Sequence, residues 1–450
     1  VKSIQLVSNK QKNPECVHPE RVTFFKQGQV MEAINEHNEM YYLFFYKQQF
    51  LTAVKTKSLK RYSYIAQAFS EGAIYEAPHP FIEALVTENQ PLQKLSYPQL
   101  IKKIDHNHTK QEQAHILTFF ESFIPKKQLF KEIKSLFYQY RREGKMFAAY
   151  TIVRELRDFA PKNSFVKQVG NDLSFSKFHT MYEEESQKLK NRDPLFAEEN
   201  ASNHLKISIL ENENRWIEAV SIHMKEISVH PTNEGYQTFI NVVNHHFDEN
   251  SHTCLLEELS RSLPSFDRLS EDLFQKYMHT RQLHKLSKLV TEQGVELDNS
   301  QLQALSTTLE TFDFTEHPES MNALMERIVA AHPENAEPLL EKYVKALMET
   351  LDLEDISERL SGFPRHFSII EKVDRMNGIR DDLDQMQQLG EWYYELEQLD
   401  KALECFQLEM EMKPSDPKPL RWLAQVYQDK KMVHESKAYQ QLCIDVQKWA

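Results

Sequence analysis

Glycine occupies 9 of 450 positions, and no two glycines stand closer than the twelve residues from Gly378 to Gly390. Neither G-x-G-x-x-G nor G-x-x-x-x-G-K-[ST] can be written anywhere in such a chain, so nucleotide binding through those phosphate loops is excluded. The G-x-S-x-G elbow of the α/β hydrolases is excluded on the same ground. Glycine is also the residue that most readily takes positive φ, so turns that demand it are few. With Leu, Glu, Gln and Lys abundant, the chain favours helices. Its length allows two or three domains, and 40% hydrophobic residues suffice for a real core.

From about Pro125 onward the sequence repeats itself. Leu389-Gly390-x-x-Tyr393, Ala402, Phe406 and Pro414 fall in a helix-turn-helix rhythm with the turn at Glu397-Gln398-Leu399-Asp400. One period on, Leu420, Leu423, Ala424 and Tyr427 take the same slots and Ser436 the small one, while Gln440 departs from the aromatic slot. Upstream the pattern fits Ile133, Leu136, Phe137, Tyr140, Ala149, Val153, Leu156 and Pro161, with Gly144 between the helices. Leu273-Phe274-x-x-Tyr277 is a third instance, Pro231 and Pro264 lie 33 apart, and Pro231 and Pro333 lie 102 apart, three times 34. These residues resemble the tetratricopeptide repeat, whose leading tryptophan is replaced here by Met386. The resemblance implies a mainly α chain, a degenerate right-handed superhelix of helix pairs in which neighbours bury the faces that one pair cannot cover alone. Its best repeats are expected at 130–163 and 383–450. Residues 173–200 and 351–380 fit poorly, and the second stretch is expected to interrupt the superhelix or to hold irregular helices.

The front end reads differently. Arg21 to Phe25, Val30 to Ile34, Tyr41 to Tyr46, Phe50 to Val54, Tyr62 to Phe69 and Ala73 to Tyr75 are short, aromatic and valine-rich runs separated by polar turns. They predict a small antiparallel β domain over 1–77, although Met40 to Val54 would also suit a buried helix. Pro78, Pro80 and Pro91 mark 78–97 as a linker, and the helical repeats are expected over 98–450.

Net charge is −13 overall, but residues 1–150 carry +7 and residues 151–450 carry −20. That asymmetry fits either a basic front end that touches an acidic partner or two domains that attract each other. The longest apolar run, Met40 to Tyr46, is too short to span a bilayer, so no membrane insertion is expected. The first five residues lack the features of a secretion signal, which makes a cytoplasmic location the expectation. Cys16, Cys254, Cys405 and Cys443 form no C-x-x-C pair, and a disulfide framework or zinc knuckle has no support. Among 19 histidines, His106, His108, His245 and His246 are the densest groups, but neighbouring residues point apart. His108, Glu112 and His115 could share one helical face without a further ligand nearby. No metal, cofactor or catalytic residue is therefore expected, and the chain reads as a non-enzyme.

In the family that the chain resembles, positions 2, 5, 9, 12 and 13 of a repeat line the concave face. Counted from Phe130 these are Lys131, Lys134, Tyr138, Arg141 and Arg142, and counted from Leu383 they are Asp384, Gln387, Glu391, Tyr394 and Glu395. The resemblance thus implies a peptide groove that is basic at its front and acidic at its back. Some members clamp a C-terminal carboxylate with Lys and Asn, but here only Lys134 falls in a clamp slot and Tyr138 stands where Asn is wanted. The function implied is a protein-protein scaffold or adaptor. The alternative is a peptide-sensing regulator whose front end binds nucleic acid through Lys55, Lys57, Lys60, Arg61, Lys102, Lys103 and Lys110, with Tyr62 and Tyr64 to stack on bases. No nucleic-acid motif accompanies those residues, so nucleic acid is the less favoured partner. Trp449 at the end of the last helix leaves a homodimer open, since an uncapped repeat needs a cover.

Overall fold

The computed structural model describes residues 3–8, 11–86, 91–184, 189, 192–292, 295, 297–311, 314 and 318–449. The chain is mainly helical, with a small N-terminal sheet, and it divides into two compact units, 1–263 and 264–450.

The first unit opens with β1 (Ile4–Ser8), β2 (Gln11–Phe25), β3 (Gly28–Asn35), β4 (Met40–Tyr46) and β5 (Gln49–Lys55). There follow α1 (Tyr64–Glu71), β6 (Ala73–Glu76), α2 (Pro80–Leu85) and β7 (Leu92–Lys94). The sheet order is β5-β4-β3-β2-β1-β7, with β6 beside β2. All pairings within 1–77 are antiparallel, as expected, and β7 from beyond that stretch adds a parallel pairing with β1. The sheet curls until its outer strands meet: Thr52 Oγ1 on β5 donates to the Leu95 carbonyl at 3.1 Å and accepts from the Leu95 amide at 2.9 Å.

Met40 to Tyr46, compatible in sequence with strand or helix, is a strand buried on both faces. Tyr42, Phe44 and Tyr46 share a core with the helices that follow, while Tyr41, Leu43 and Phe45 lie on the opposite face, the period-two alternation of a strand. Tyr62 to Phe69, expected as a strand, instead contributes α1. Ser63 caps that helix by accepting from the Ala66 amide, and Tyr64, Ile65 and Ala68 supply a buried face at helical spacing.

The remaining helices of this unit are α3 (Tyr97–Asn107), α4 (Lys110–Thr118), α5 (Lys126–Arg142), α6 (Met146–Phe159), α7 (Ser164–Gly170), α8 (Ser176–Glu184), α9 (Pro194–Glu199), α10 (Asn203–Asn212), α11 (Trp216–Val229), α12 (Asn233–His246) and α13 (Glu249–Ser262). One core runs without a break from Val30 on β3 to Phe178 on α8. One face of the sheet shares this core with the helices, whereas Leu6, Val22, Met31, Leu43 and Phe45 are buried outside it, and the stretch 78–97 expected as a linker is partly regular structure. α2 and β7 fill part of that stretch. Phe81 lies 5.9 Å from Phe247, His79 Nε2 is 2.7 Å from Glu258, and Tyr75 Oη is 2.6 Å from Ser221 Oγ, so this region packs on α11 to α13.

The second unit contains α14 (Asp267–Thr280), α15 (Leu283–Glu292), α16 (Asn299–Thr311), α17 (Asn322–Ala331), α18 (Ala336–Thr350), α19 (Leu353–Arg359), α20 (Ser368–Ile379), α21 (Met386–Glu395), α22 (Leu399–Met412), α23 (Pro417–Asp429) and α24 (Val433–Trp449). The poorly fitting stretch 351–380 holds the short α19, a 3₁₀ turn and α20.

Five helix pairs turn in the same way: α5/α6, α10/α11, α14/α15, α21/α22 and α23/α24. Each turns on one left-handed residue, with φ of 71° at Gly144, 57° at Asn214, 55° at Arg281, 63° at Glu397 and 63° at Lys431. The next amide then donates to the carbonyl five residues back, Lys145 to Tyr140, Arg215 to Leu210, Gln282 to Tyr277, Gln398 to Tyr393 and Met432 to Tyr427, at 2.8 to 3.0 Å. This is the Schellman closure of a helix. Four of the five carbonyls belong to the tyrosines of the sequence pattern. Five helices end alike too. Ala160, His230, Leu263, His332 and Lys413, each followed by proline, have φ between −129° and −141° and ψ between 61° and 78°. A residue before proline is driven out of the helical region, so the helix stops there.

The small slots are also explained. Ala149, Ala219 and Ala402 are fully buried, and a Cβ on Gly390 would come within 2.7 Å of the Phe406 ring. Left-handed backbone costs a side-chain-bearing residue about 1 kcal/mol. We therefore expect Lys431→Gly to raise stability and Gly144→Ala to lower it, each by about 1 kcal/mol, as read from urea midpoints of the full chain.

Candidate functional site

On α5, Leu129, Ile133, Leu136 and Phe137 are buried, which turns Lys131, Lys134, Tyr138, Arg141 and Arg142 to the other side. The structure brings these five together on one face, where two cations are drawn onto neighbours. The Lys134 ammonium lies 3.9 Å from the centre of the Phe165 ring of α7 and 5.7 Å from that of Tyr138. Arg141 reaches Asp172 at 3.8 Å. Tyr138 is 40% exposed with its ring 5.9 Å from Phe165. Lys131 and Arg142 are exposed and make no ion pair among the described residues.

The second set lies on and just before α21. Asp384 is exposed in a 3₁₀ turn ahead of the helix. Glu391 accepts from Gln387 Nε2 at 2.6 Å and from Trp422 Nε1 of α23 at 3.1 Å. The Gln387 carbonyl oxygen is buried without a partner among the described residues. Tyr394 donates to Asp429 at 2.6 Å, and that carboxylate holds its hydroxyl above the ordinary phenol value. Glu395 pairs with Lys372 of α20 at 2.8 Å. The result is an acidic face edged with Tyr394 and Trp422, whose rings are 5.1 Å apart. Trp422, Asp429 and Phe165 belong to these faces but were not singled out in the sequence. Each lies on the next helix of its face, so only the repeat offset could have pointed to them. The α5 set belongs to the first unit and the α21 set to the second.

The sequence also gives no sign of a charged hub inside the first unit. Arg215 is 1% exposed. Its guanidinium donates to both oxygens of Glu198 at 2.6 and 2.8 Å, to both of Glu218 at 2.9 and 2.6 Å, and to Glu213 at 2.9 Å. The sheet joins the hub through Gln27, which donates to Glu198 at 2.8 Å and accepts from Tyr46 at 2.9 Å. Lys47 adds ion pairs to Glu112 and Glu213, both at 3.2 Å. Burial works against the charge of Arg215, but Glu218 and Glu198 more than offset it and hold its pKa above the ordinary value. Burial holds the Glu218 carboxyl above its ordinary value against the pull of Arg215. Beside the hub opens a cleft of about 720 Å³ between the β2–β3 turn, α1, α6 and α9 to α11. On its wall Lys26 pairs with Glu199 at 3.5 Å, and His115 Nδ1 lies 3.0 Å from Glu155.

Five groups of the nucleic-acid reading have partners within the chain. Lys55 pairs with Glu39, Lys60 donates to the Glu121 carbonyl at 2.6 Å, and Lys110 pairs with Glu143. Lys103 donates to the Phe50 carbonyl at 2.8 Å, and burial lowers its pKa. Tyr64 is buried and stacked on Phe119 at 4.2 Å. Lys57, Arg61, Tyr62 and Lys102 remain exposed. His108 ends α3 while Glu112 and His115 lie on α4, so the three do not share a helix face. Among the described residues no three His, Cys, Asp or Glu converge as a metal site would require, and no helix is long and apolar enough to cross a membrane. On α24, Val433, Leu442 and Ile444 are exposed, while the Trp449 side chain lies outside the described residues.

No family model matches the chain, and no curated protein matches it. Among the solved chains that match is one from a structure described as "Structure of Naa15/Naa10 bound to HypK-THB", 10% identical, with a TM-score of 0.19. The match covers 78% of this chain and 60% of that one, so this chain spans about three fifths of its length. Likeness at that level assigns neither fold nor function.

The hub yields a test with a pH signature. Removing the guanidinium leaves buried carboxylates without their counter-charge, so Arg215→Gln should cost about 3–5 kcal/mol near pH 8. A carboxyl whose pKa is raised in the fold stabilises the fold when protonated, and that contribution is lost as pH rises through the folded value. Without Arg215 the Glu218 carboxyl rises further. The deficit against wild type should therefore shrink from pH 8 to pH 5, read from urea midpoints at both values.

Proposed function

We propose that the chain is a cytoplasmic, non-enzymatic scaffold of the tetratricopeptide-like kind, a right-handed superhelix of helix pairs that holds a protein segment on the faces of its first helices. The observation that carries this reading is the pair of faces on α5 and α21. Both present charged and aromatic side chains, of which Lys131, Arg142 and Asp384 are exposed and others, such as Lys134, Glu391 and Tyr394, also touch the neighbouring helix. The α5 face, with Lys131, Lys134, Tyr138, Arg141 and Arg142, suits an acidic segment. The α21 face, with Asp384, Gln387, Glu391, Tyr394 and Glu395, suits a basic one. The shared turns and proline-ended helices support the repeat reading, because the turns at Glu397 and Lys431 lie 34 residues apart and those at Gly144, Asn214 and Arg281 lie 70 and 67 apart, about two periods each.

Lys131 and Arg142 are the cleanest residues to change, since neither holds an ion pair among the described residues. Lys131→Glu with Arg142→Glu should weaken binding of an identified partner at least tenfold in calorimetry. The urea midpoint should stay near that of wild type, as expected for exposed positions. Asp384→Lys with Glu395→Lys makes the matching test of the second face. Unchanged affinity in both variants would remove the assignment of these faces.

A further inference from the structure

A pocket of about 440 Å³ opens where α5 begins and α6 ends. Its floor is apolar, built from Phe130, Phe159 and Pro161, and its rim carries Lys126, Lys127 and Lys162. Lys126 is fixed, with its ammonium 4.5 Å from the centre of the Phe159 ring and paired with Glu121. Lys127 and Lys162 are exposed and make no ion pair among the described residues. The first turns of α5 and α7 contain no acidic residue.

The pocket continues into the α5 face. Lys127, Lys131, Lys134, Tyr138 and Arg141 are spaced by four, three, four and three residues, which sets them in one stripe along the helix. Fourteen residues of helix span about 21 Å, the length of roughly six or seven residues of extended peptide. Phe165 lies against Phe130 at 6.2 Å and against Tyr138 at 5.9 Å, so an aromatic seam accompanies the cations from the pocket onward.

We propose that this pocket is the anchor subsite of the α5 face and takes a large apolar side chain at one end of an acidic peptide segment about seven residues long. This inference rests on the scaffold reading and names the ligand class of its first face. An apolar floor ringed by cations rewards an apolar group with acidic neighbours, and a basic peptide would meet three like charges at the rim.

The test uses the full chain and fluorescein-labelled ten-residue peptides. One has Phe near its N-terminus and the other near its C-terminus, each with Asp, Glu and Ser elsewhere. Anisotropy should detect at least one of the two, with binding that weakens as salt rises. Replacing the peptide Phe by Ala, or the acidic residues by Asn and Gln, should each weaken binding at least tenfold. Lys127→Glu with Lys162→Glu, both at exposed positions, should do the same without loss of helical circular dichroism. The proposal is overturned if neither peptide binds, if the Ala peptide binds as well as its parent, or if the double variant binds as well as wild type. If it is overturned while Lys131→Glu with Arg142→Glu still weakens an identified partner, the scaffold reading stands and only the anchor is lost. Failure of both removes the α5 face as a binding surface.

Discussion

A guanidinium that is 1% exposed persists in a protein interior only when counter-charges and hydrogen bonds replace its water, and around Arg215 the first unit is arranged to do so. Arg215 is the residue just after the left-handed turn at Asn214, with its amide bonded to the Leu210 carbonyl, so the turn itself carries the side chain inward. Glu198 of α9 and Glu218 of α11 hold it in two-pronged contacts, the geometry that suits a planar guanidinium best. Gln27 and Tyr46 extend the network into the sheet. A lysine could not make these contacts, because it lacks the fork. The sheet is thereby keyed to one particular helix pair, and the core from Val30 to Phe178 adds apolar cover to that polar key.

One local rule is followed in full by three helix pairs, α5/α6, α10/α11 and α21/α22. A helix closes on a left-handed residue, the next helix runs until a proline forbids it, and a small side chain or glycine lets the pair approach. Four of the five shared turns place a residue other than glycine at positive φ, at Asn214, Arg281, Glu397 and Lys431. Repetition of the hydrogen bonds shows that the closure does not depend on glycine, which is how so glycine-poor a chain turns so often. Burial of the faces between pairs supplies the stabilisation that offsets the backbone cost.

The legible parts of the sequence were the local ones. The alanine, tyrosine and proline slots survive because each is set by contacts within a pair or with its neighbour. The faces of α5 and α21 were legible for the same reason, since a buried stripe at helical spacing leaves one side outward. Contacts that join distant segments were not. Gln27 meets Glu198 across 171 residues, and nothing near either residue announces the other. For the same reason 78–97 read as a linker, although α2 and β7 are held by packing and strand pairing remote in sequence. Tyr62 to Phe69 was misread because aromatic residues favour strands on average, while Ser63 and the spacing of Tyr64, Ile65 and Ala68 fix a helix here. Within the faces themselves, Lys134 and Arg141 turned out to be partly occupied by Phe165 and Asp172, which only a neighbouring helix could decide.

On the proposed reading, a partner would meet preformed helical surfaces, one basic and one acidic. Whether a partner lies on those faces is most directly read by site-specific photo-crosslinking in the full chain with an identified partner. A benzophenone side chain in place of Lys131 or Glu395 samples the proposed faces, and one in place of Arg157 or Leu408, exposed on α6 and α22, samples the second helices of the pairs. The expected result is a partner adduct from 131 or 395 and none from 157 or 408. Adducts from 157 and 408 alone would contradict it.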